Sequence, residues 1–168
     1  MSSIIYLLDS DVFIEGRKSF YPPDIFPSYW EWLKAQAHAG TIKTVVPCYD
    51  DLLAGNDGLA EWVHDNCPSD FVLPVDKDSA LIEKYASLME WAVGHTQFSD
   101  GAKAEFAAVS DAWLVAAAMV PSPNLVVVTR ERFDPVVKRR IPIPNVCAEH
   151  DITCIPALEW MRALKAEF

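Results

Sequence analysis

Short apolar runs alternate along the chain with longer segments of helical periodicity. Two runs, Ile4–Leu8 and Leu125–Thr129, are almost uninterrupted, which is typical of strands buried on both faces of a parallel sheet. Weaker strands are predicted at Thr44–Val46, Phe71–Leu73 and Thr153–Ile155. Strands that alternate with helices favour parallel crossover connections. The pattern therefore predicts an α/β fold, a three-layer α/β/α sandwich around a central parallel sheet.

Helical segments are predicted between these strands. One of them ends in the residues Ala112–Val120, which are apolar all round and are therefore expected in the core. The stretch from Arg130 to Asn145 is basic and interrupted by prolines, so no regular element is predicted there. The predicted helices are Val12–Ser19, a segment capped by Ser28 that ends near Gly40, Pro47–Leu53, a segment from Asp57 or Gly58 to Pro68, Asp76–Ala92, Ala102–Val120 and Ala157–Ala166.

The composition is that of an ordinary globular protein. The 168 residues are 51% hydrophobic and carry a formal net charge of −10. This is about the length of one domain, and residues 1–168 are interpreted as a single domain. We expect no membrane-spanning run and a cytoplasmic location. The four cysteines lack zinc-binding spacing and are expected to be free thiols.

Acidic residues follow the two strong strands. Asp9 and Asp11 come directly after the first strand, with Ser10 between them, and Glu131 lies just past Thr129 at the end of the other. The ligands of open α/β sheets bind at the carboxyl ends of the strands, so these residues are expected to share one rim of the sheet.

Three further acids are predicted at the same rim. Asp50 and Asp51 follow the second strand by a few residues, and Asp111 lies at the head of an apolar run. Carboxylates gathered in this way repel one another unless Mg²⁺ or Mn²⁺ binds among them. The negative net charge argues against general nucleic-acid binding, but such a cation supplies positive charge that a formal count omits. The candidate metal ligands at these positions are Asp9, Asp50 or Asp51, Asp111 and Glu131, with Ser10, Asp11 and Thr129 beside them.

Each acidic position also has a purely structural interpretation. Asp9 can cap the helix that follows it, and Asp111 can do the same together with Ser110. Asp51 fits the first turn of a helix, where the helix dipole favours negative charge. Glu131 can pair with a neighbouring arginine.

A basic stretch adjoins the predicted rim. It holds five of the 14 basic residues within eleven positions. Such a cluster either contacts an RNA backbone or forms a solvated loop. The residues are Arg130, Arg132, Lys138, Arg139 and Arg140. A second cluster, of aromatic residues between Phe20 and Trp32, is expected mainly in the core, with part of it facing a partner such as a second copy of the chain.

The acidic motifs resemble those of one protein family. The run from Tyr6 to Ile14, Tyr-Leu-Leu-Asp-Ser-Asp-Val-Phe-Ile, looks like the opening of the PIN domain. The later pieces match in the same order: Tyr49-Asp50-Asp51-Leu52 is similar to the second acidic helix, Ser110-Asp111-Ala112 to the third acid, and Val127-Val128-Thr129-Arg130-Glu131 to the closing strand and its polar turn. The chain looks most like a PIN-like subgroup of formerly unknown function that is allied to VapC-type toxins.

The resemblance implies an Mg²⁺- or Mn²⁺-dependent ribonuclease, the toxin of a toxin–antitoxin pair. By this resemblance the catalytic and metal-binding residues are Asp9, Asp51, Asp111 and Glu131, supported by Ser10, Asp11, Asp50 and Thr129. The carboxylates would hold one or two metal ions that activate water for attack on a phosphodiester bond. The sequence departs from the family at two positions. The second acid is usually Glu and is here Asp51, or alternatively Asp50, and the fourth is usually Asp and is here Glu131.

Two other functions fit parts of the sequence. In a haloacid-dehalogenase-type phosphatase, Asp9 is the nucleophile, Asp11 the general acid and Val126–Thr129 the second motif strand, but the acidic strand that must follow a lysine is lacking after Lys138. A PIN-like scaffold that binds a partner without cleaving RNA is the second alternative.

Overall fold

The computed structural model describes residues 3–121 and 123–168, so Met1, Ser2 and Ser122 of the predicted domain lie outside the described residues. Within them the strands are β1 (Ile5–Leu8), β2 (Ile42–Val45), β3 (Val72–Leu73), β4 (Leu125–Thr129) and β5 (Cys154–Pro156). They form one parallel sheet in the order β3-β2-β1-β4-β5.

The helices fill the connections between the strands. They are α1 (Ser10–Glu15), α2 (Pro27–Ala39), α3 (Val46–Ala54), α4 (Leu59–Asn66), α5 (Ser79–Gly94), α6 (Asp100–Ala108), α7 (Asp111–Met119), α8 (Ile143–Glu149) and α9 (Ala157–Ala163). A π-helical turn, Gly16–Phe20, directly follows α1.

β1 lies in the centre of the sheet and contributes to both faces of it. Tyr6 pairs with Ile42 of β2 on one side and with Val126 of β4 on the other. Successive residues of a strand point to opposite faces, so Leu7 and Leu8 enter different hydrophobic clusters, and both are completely buried. This confirms the prediction that the first strand is buried on both faces.

Helices cover both faces of the sheet. The cluster around Leu7 receives side chains from α5, α6, α7 and α8, and the cluster around Leu8 receives side chains from α1, α2, α4 and α9. Helix α3 contributes Cys48 to the first cluster and Leu52 to the second. The predicted three-layer α/β/α sandwich is confirmed.

The helix predicted at Ala102–Val120 is wrong in one respect, because it is two helices. α6 ends at Ala108, the backbone at Val109 is extended, and α7 begins at Asp111. The hydroxyl of Ser110 bonds a carboxylate of α3 at this break instead of capping α7. The second half is as apolar as predicted, since Ala112 and Leu114–Ala118 are buried.

Other boundaries differ in smaller ways. The predicted helix Val12–Ser19 is α1 continued by the π-helical turn. The second helix starts at Pro27, which needs no hydrogen-bond acceptor in the first turn because proline has no N–H. Helix α8, which begins within the stretch predicted to be irregular, was missed.

The remaining expectations concern cysteines, aromatic residues and membranes. All four cysteines are free, as expected. Tyr29 and Trp30 are buried, whereas Phe20 and Phe26 are exposed, so the aromatic segment is divided between core and surface. In the part of the chain that the structure describes, every helix is too short or too polar to cross a membrane.

Candidate active site

The site lies at the carboxyl ends of β1 and β4, which are neighbours in the sheet. The backbone N–H of Asp9 donates to the carbonyl of Val128 at 3.0 Å, which continues the pairing of the strands past β1. The Thr129 hydroxyl donates to Asp9 Oδ2 at 3.0 Å and accepts the N–H of Glu131 at 3.1 Å. Thr129 therefore links the carboxylate after β1 to the acid after β4.

Asp9 is buried and its side chain does not cap α1. Only 2% of the residue is exposed, and none of the hydrogen bonds at the start of α1 comes from its carboxylate. Burial of a carboxylate is costly unless hydrogen bonds or a cation compensate. The capping interpretation of Asp9 is therefore wrong.

Helix α3 brings Asp51 to the same place. Asp51 Oδ2 accepts the hydroxyl of Ser10 at 3.1 Å and that of Ser110 at 2.6 Å. Ser10 Oγ also lies 3.5 Å from Asp9 Oδ1, so one serine stands between two acids. The structure thus gathers residues from β1, α1, α3 and the start of α7, and it answers the choice between Asp50 and Asp51 in favour of Asp51.

Asp11 and Asp111 complete the cluster from two helix starts. Each lies in the first turn of its helix, α1 and α7, where the positive end of the helix dipole stabilises a negative charge. Both are partly buried. The interpretation of Asp111 and Ser110 as a helix cap is wrong, because the N-cap residue Ser110 makes no side-chain cap hydrogen bond to α7.

Burial and mutual repulsion change the acidity of these groups. Burial, followed by the charges of Asp111, Asp11 and Glu131, raises the pKa of Asp9 well above its usual range. Burial and then the charge of Glu131 raise the pKa of Asp111 to about 7. The pKa of Glu131 is also raised, mainly by burial. The cluster therefore favours bound protons or a bound cation at neutral pH.

Two protein donors already hold Glu131. Its Oε1 forms an ion pair with Arg140, and its Oε2 accepts the N–H of Ile143 at 2.6 Å. The second bond caps the start of α8. Glu131 therefore pairs with an arginine, as its structural interpretation suggests, and this arginine is Arg140, nine residues further along the chain.

Not every predicted residue reaches the cluster. Asp50 is exposed and lines a separate cleft with Tyr49 and His64 on the surface of α3 and α4. The cluster contains Asp9, Ser10, Asp11, Asp51, Asp111, Thr129 and Glu131.

The predicted basic residues lie on the loop that runs from β4 to α8. Arg132, Lys138 and Arg139 are exposed. Arg130 is partly buried, and its guanidinium carbon lies 4.0 Å from the centre of the Phe20 ring. A cleft of about 350 Å³ on this loop is lined by Glu131, Arg132, Phe133, Asp134, Pro135, Val137, Arg140 and Pro142.

The donor atoms suit a hard divalent cation. Carboxylate oxygens are the ligands that Mg²⁺ and Mn²⁺ prefer, and the nearby thiol of Cys48 is no competitor, because burial and the charge of Asp9 raise its pKa. Among residues 3–121 and 123–168, no three His, Cys, Asp or Glu side chains are grouped so that they could hold a metal ion. Asp51 and Glu131 instead direct oxygens to hydroxyl, N–H and guanidinium donors.

The comparisons with known proteins give a family. Residues 6–168 match the model of a family described as a domain of unknown function, DUF4411. The chain belongs to this family. Neither a curated protein nor a solved structure matches it. The family description assigns no activity, so function has to be argued from the site.

Sequence reasoning missed two residues that shape the site. Ser110 was considered only as a helix cap, although it donates the shortest bond to Asp51. Asn145 is buried and its side chain bonds both the N–H and the carbonyl of Asp134, at 3.0 and 2.7 Å. Asn145 thereby fixes the loop that carries the basic residues to the start of α8. Its place directly after Ile143-Pro144, a typical helix start, was the available signal.

Proposed function

We propose that this protein is a metal-dependent endoribonuclease that hydrolyses RNA phosphodiester bonds. One observation carries the proposal: five carboxylates from distant parts of the sequence converge at the carboxyl edge of a parallel sheet, where burial and repulsion raise the pKa of four of them. Burial and mutual repulsion disfavour the charged carboxylates, and a bound divalent cation would offset both effects. The resemblance of the acidic motifs to the PIN domain supports the same chemistry.

Asp9, Asp51, Asp111 and Glu131 would hold Mg²⁺ or Mn²⁺. When bound, the metal lowers the pKa of water and neutralises charge on the phosphate. Ser10, Ser110 and Thr129 orient the carboxylates on which they act, as hydrogen-bonded neighbours of metal ligands generally do.

The loop between β4 and α8 supplies the RNA contact in this proposal. Its exposed cations Arg132, Lys138 and Arg139 can neutralise phosphates of the backbone, and Arg132 lines the same cleft as Glu131. Contacts of this kind position a strand without reading its sequence. The negative net charge of the chain keeps other surfaces unattractive to RNA.

The deciding experiment measures cleavage of a mixed RNA by purified protein in the presence and absence of Mn²⁺. We expect cleavage only with the metal, and none for Asp9→Asn, because the buried central carboxylate is lost while the amide keeps the shape of the side chain. Cleavage by Asp9→Asn at the wild-type rate would contradict the proposal. Binding of Mn²⁺ without cleavage of any RNA favours the inert scaffold, and phosphorylation of Asp9 by a phosphate ester favours the phosphatase.

A toxin role, with an antitoxin as partner, is the finer part of the proposal and follows from the resemblance to VapC-type toxins. Exposed Phe20 and Phe26 offer an apolar surface to an antitoxin or a second copy of the chain. We expect induced expression of the wild type to arrest bacterial growth and expression of Asp9→Asn to leave growth normal. Equal growth of the two strains would contradict the toxin role.

A further inference from the structure

Glu131 is held in place by two partners of very different character. The N–H of Ile143 belongs to the first turn of α8, whose side chains pack in the core. Arg140 reaches Glu131 from a loop, and 55% of its side chain is exposed, against 11% for that of Glu131. The backbone partner is fixed, whereas the Arg140 side chain is long, flexible and more than half exposed, so its guanidinium can turn into solvent.

The charge of Arg140 also acts on other acids of the cluster. It counteracts the rise in pKa of Asp11 and Asp111 as well as that of Glu131. Arg140 is therefore a counter-cation for three of the five carboxylates. A divalent cation at the same place would be attracted more strongly, because its charge is double.

We propose that Arg140 is a displaceable counter-cation, which occupies Oε1 of Glu131 until a divalent metal ion binds and then turns outward to an RNA phosphate. This inference rests on the proposed function and adds a regulatory step to it. Ile143 keeps its bond to Oε2 throughout, so Glu131 stays oriented when Arg140 leaves. The exchange couples the two ligands: metal releases the arginine for RNA, and RNA that binds the arginine frees an oxygen for metal.

The test titrates the protein with Mn²⁺ and follows the free ion by electron paramagnetic resonance. Arg140→Gln removes the competitor from Glu131, and we expect it to bind Mn²⁺ roughly two- to fivefold more tightly than wild type, the upper part of the range that corresponds to an exposed ion pair. Arg139→Gln is the matched control, since it removes an exposed charge one residue away. At physiological ionic strength we expect this control to change Kd by less than about twofold.

Two further measurements separate displacement from a general loss of charge. Arg140→Lys keeps the charge and is expected to return Kd toward the wild-type value. In wild-type protein the guanidinium N–H signals of Arg140, assigned by their absence in Arg140→Gln, should lose their protection from exchange when Mg²⁺ is added, a diamagnetic ion that leaves nearby signals visible. The backbone N–H signal of Ile143 should retain its protection.

The outcomes distinguish this inference from the proposed function. Wild-type binding of Mn²⁺ with equal Kd values for Arg140→Gln and Arg139→Gln contradicts the displacement of Arg140 and leaves the metal site standing. Arg140 N–H signals that stay protected in the metal complex would also contradict the displacement of Arg140, and they would leave the metal site unaffected. If neither the wild type nor Arg140→Gln binds Mn²⁺, both the proposed metal site and this inference are wrong.

Discussion

The repulsion within the carboxylate cluster should make the metal-free protein less stable as the pH rises. Asp111 is the best probe, because its pKa is raised from 3.8 to about 7. A carboxyl with a higher pKa in the folded than in the unfolded state binds more protons when folded, so stability decreases with pH between these two values. The stabilising contribution is complete below pH 3.8 and is lost as the pH passes about 7.

The size of the effect follows from the two pKa values. At 1.36 kcal/mol per pH unit, the difference corresponds to about 4 kcal/mol. Screening by water at this partly exposed residue and the positive end of α7 reduce it. We therefore compare the free energies of unfolding of Asp111→Asn and wild type at two pH values. Between pH 4.5 and pH 7.5 we expect this difference to shift by about 2 kcal/mol in favour of the variant. This corresponds to a relative change in Tm of about 4–8 °C.

The assay is thermal unfolding in EDTA at a series of pH values, with the wild type, Asp111→Asn and Asp76→Asn. Asp76 is exposed on the loop before α5, so its substitution removes one negative charge outside the cluster. Parallel pH profiles for the wild type and Asp111→Asn would refute the reasoning. So would a gain for Asp76→Asn equal to that for Asp111→Asn, since the effect would then come from net charge alone.

Three other predictions follow from the site. Mn²⁺ at one hundred times its Kd should stabilise the wild type by about 2.7 kcal/mol, and calorimetry should show a much smaller gain for Asp9→Asn; an unchanged wild-type Tm would exclude a metal site. Thr129→Val should lower the free energy of unfolding by about 1–3 kcal/mol in urea titrations, because the buried Asp9 carboxylate and the Glu131 N–H both lose a hydrogen-bond partner. Thr129→Ser keeps the hydroxyl and should recover most of this lost stability. Replacement of Arg132, Lys138 and Arg139 by Ala should weaken RNA binding and lower the salt dependence by roughly 0.7 per lost contact on a log–log plot, with Mn²⁺ affinity retained; a wild-type slope would remove this loop from the RNA path.

The sequence predicts the sheet and most of the acidic cluster for one physical reason. In a parallel α/β fold the carboxyl ends of the strands meet at one edge, so the positions of Asp9, Thr129 and Glu131 follow as soon as β1 and β4 are recognised. Both strands are apolar enough to be unmistakable. The pattern also places Asp51 near this edge but leaves Asp50 as an alternative, because neighbouring residues of a helix differ only in which face they occupy.

Features that depend on distant partners could not be predicted in this way. The break between α6 and α7 brings Ser110 to Asp51, which lies 59 residues away in sequence. Likewise, the start of α8 is capped by Glu131, twelve positions before Ile143. Local propensity contains no information about such contacts, so the break is not predictable, and Pro144 indicates a helix start without revealing that Glu131 caps it.

The order of the strands has a consequence for synthesis on the ribosome. β1 pairs with β2 along one edge and with β4 along the other. The pairing with β4 joins Ile5 to Leu125, which is synthesised much later. While the intervening residues are being translated, one edge of β1 stays open and the acids that follow β4 do not yet exist. A nascent chain therefore carries only part of the carboxylate cluster. Under the proposed function, this cluster is complete only after the residues through Glu131 have been synthesised and β4 has paired with β1.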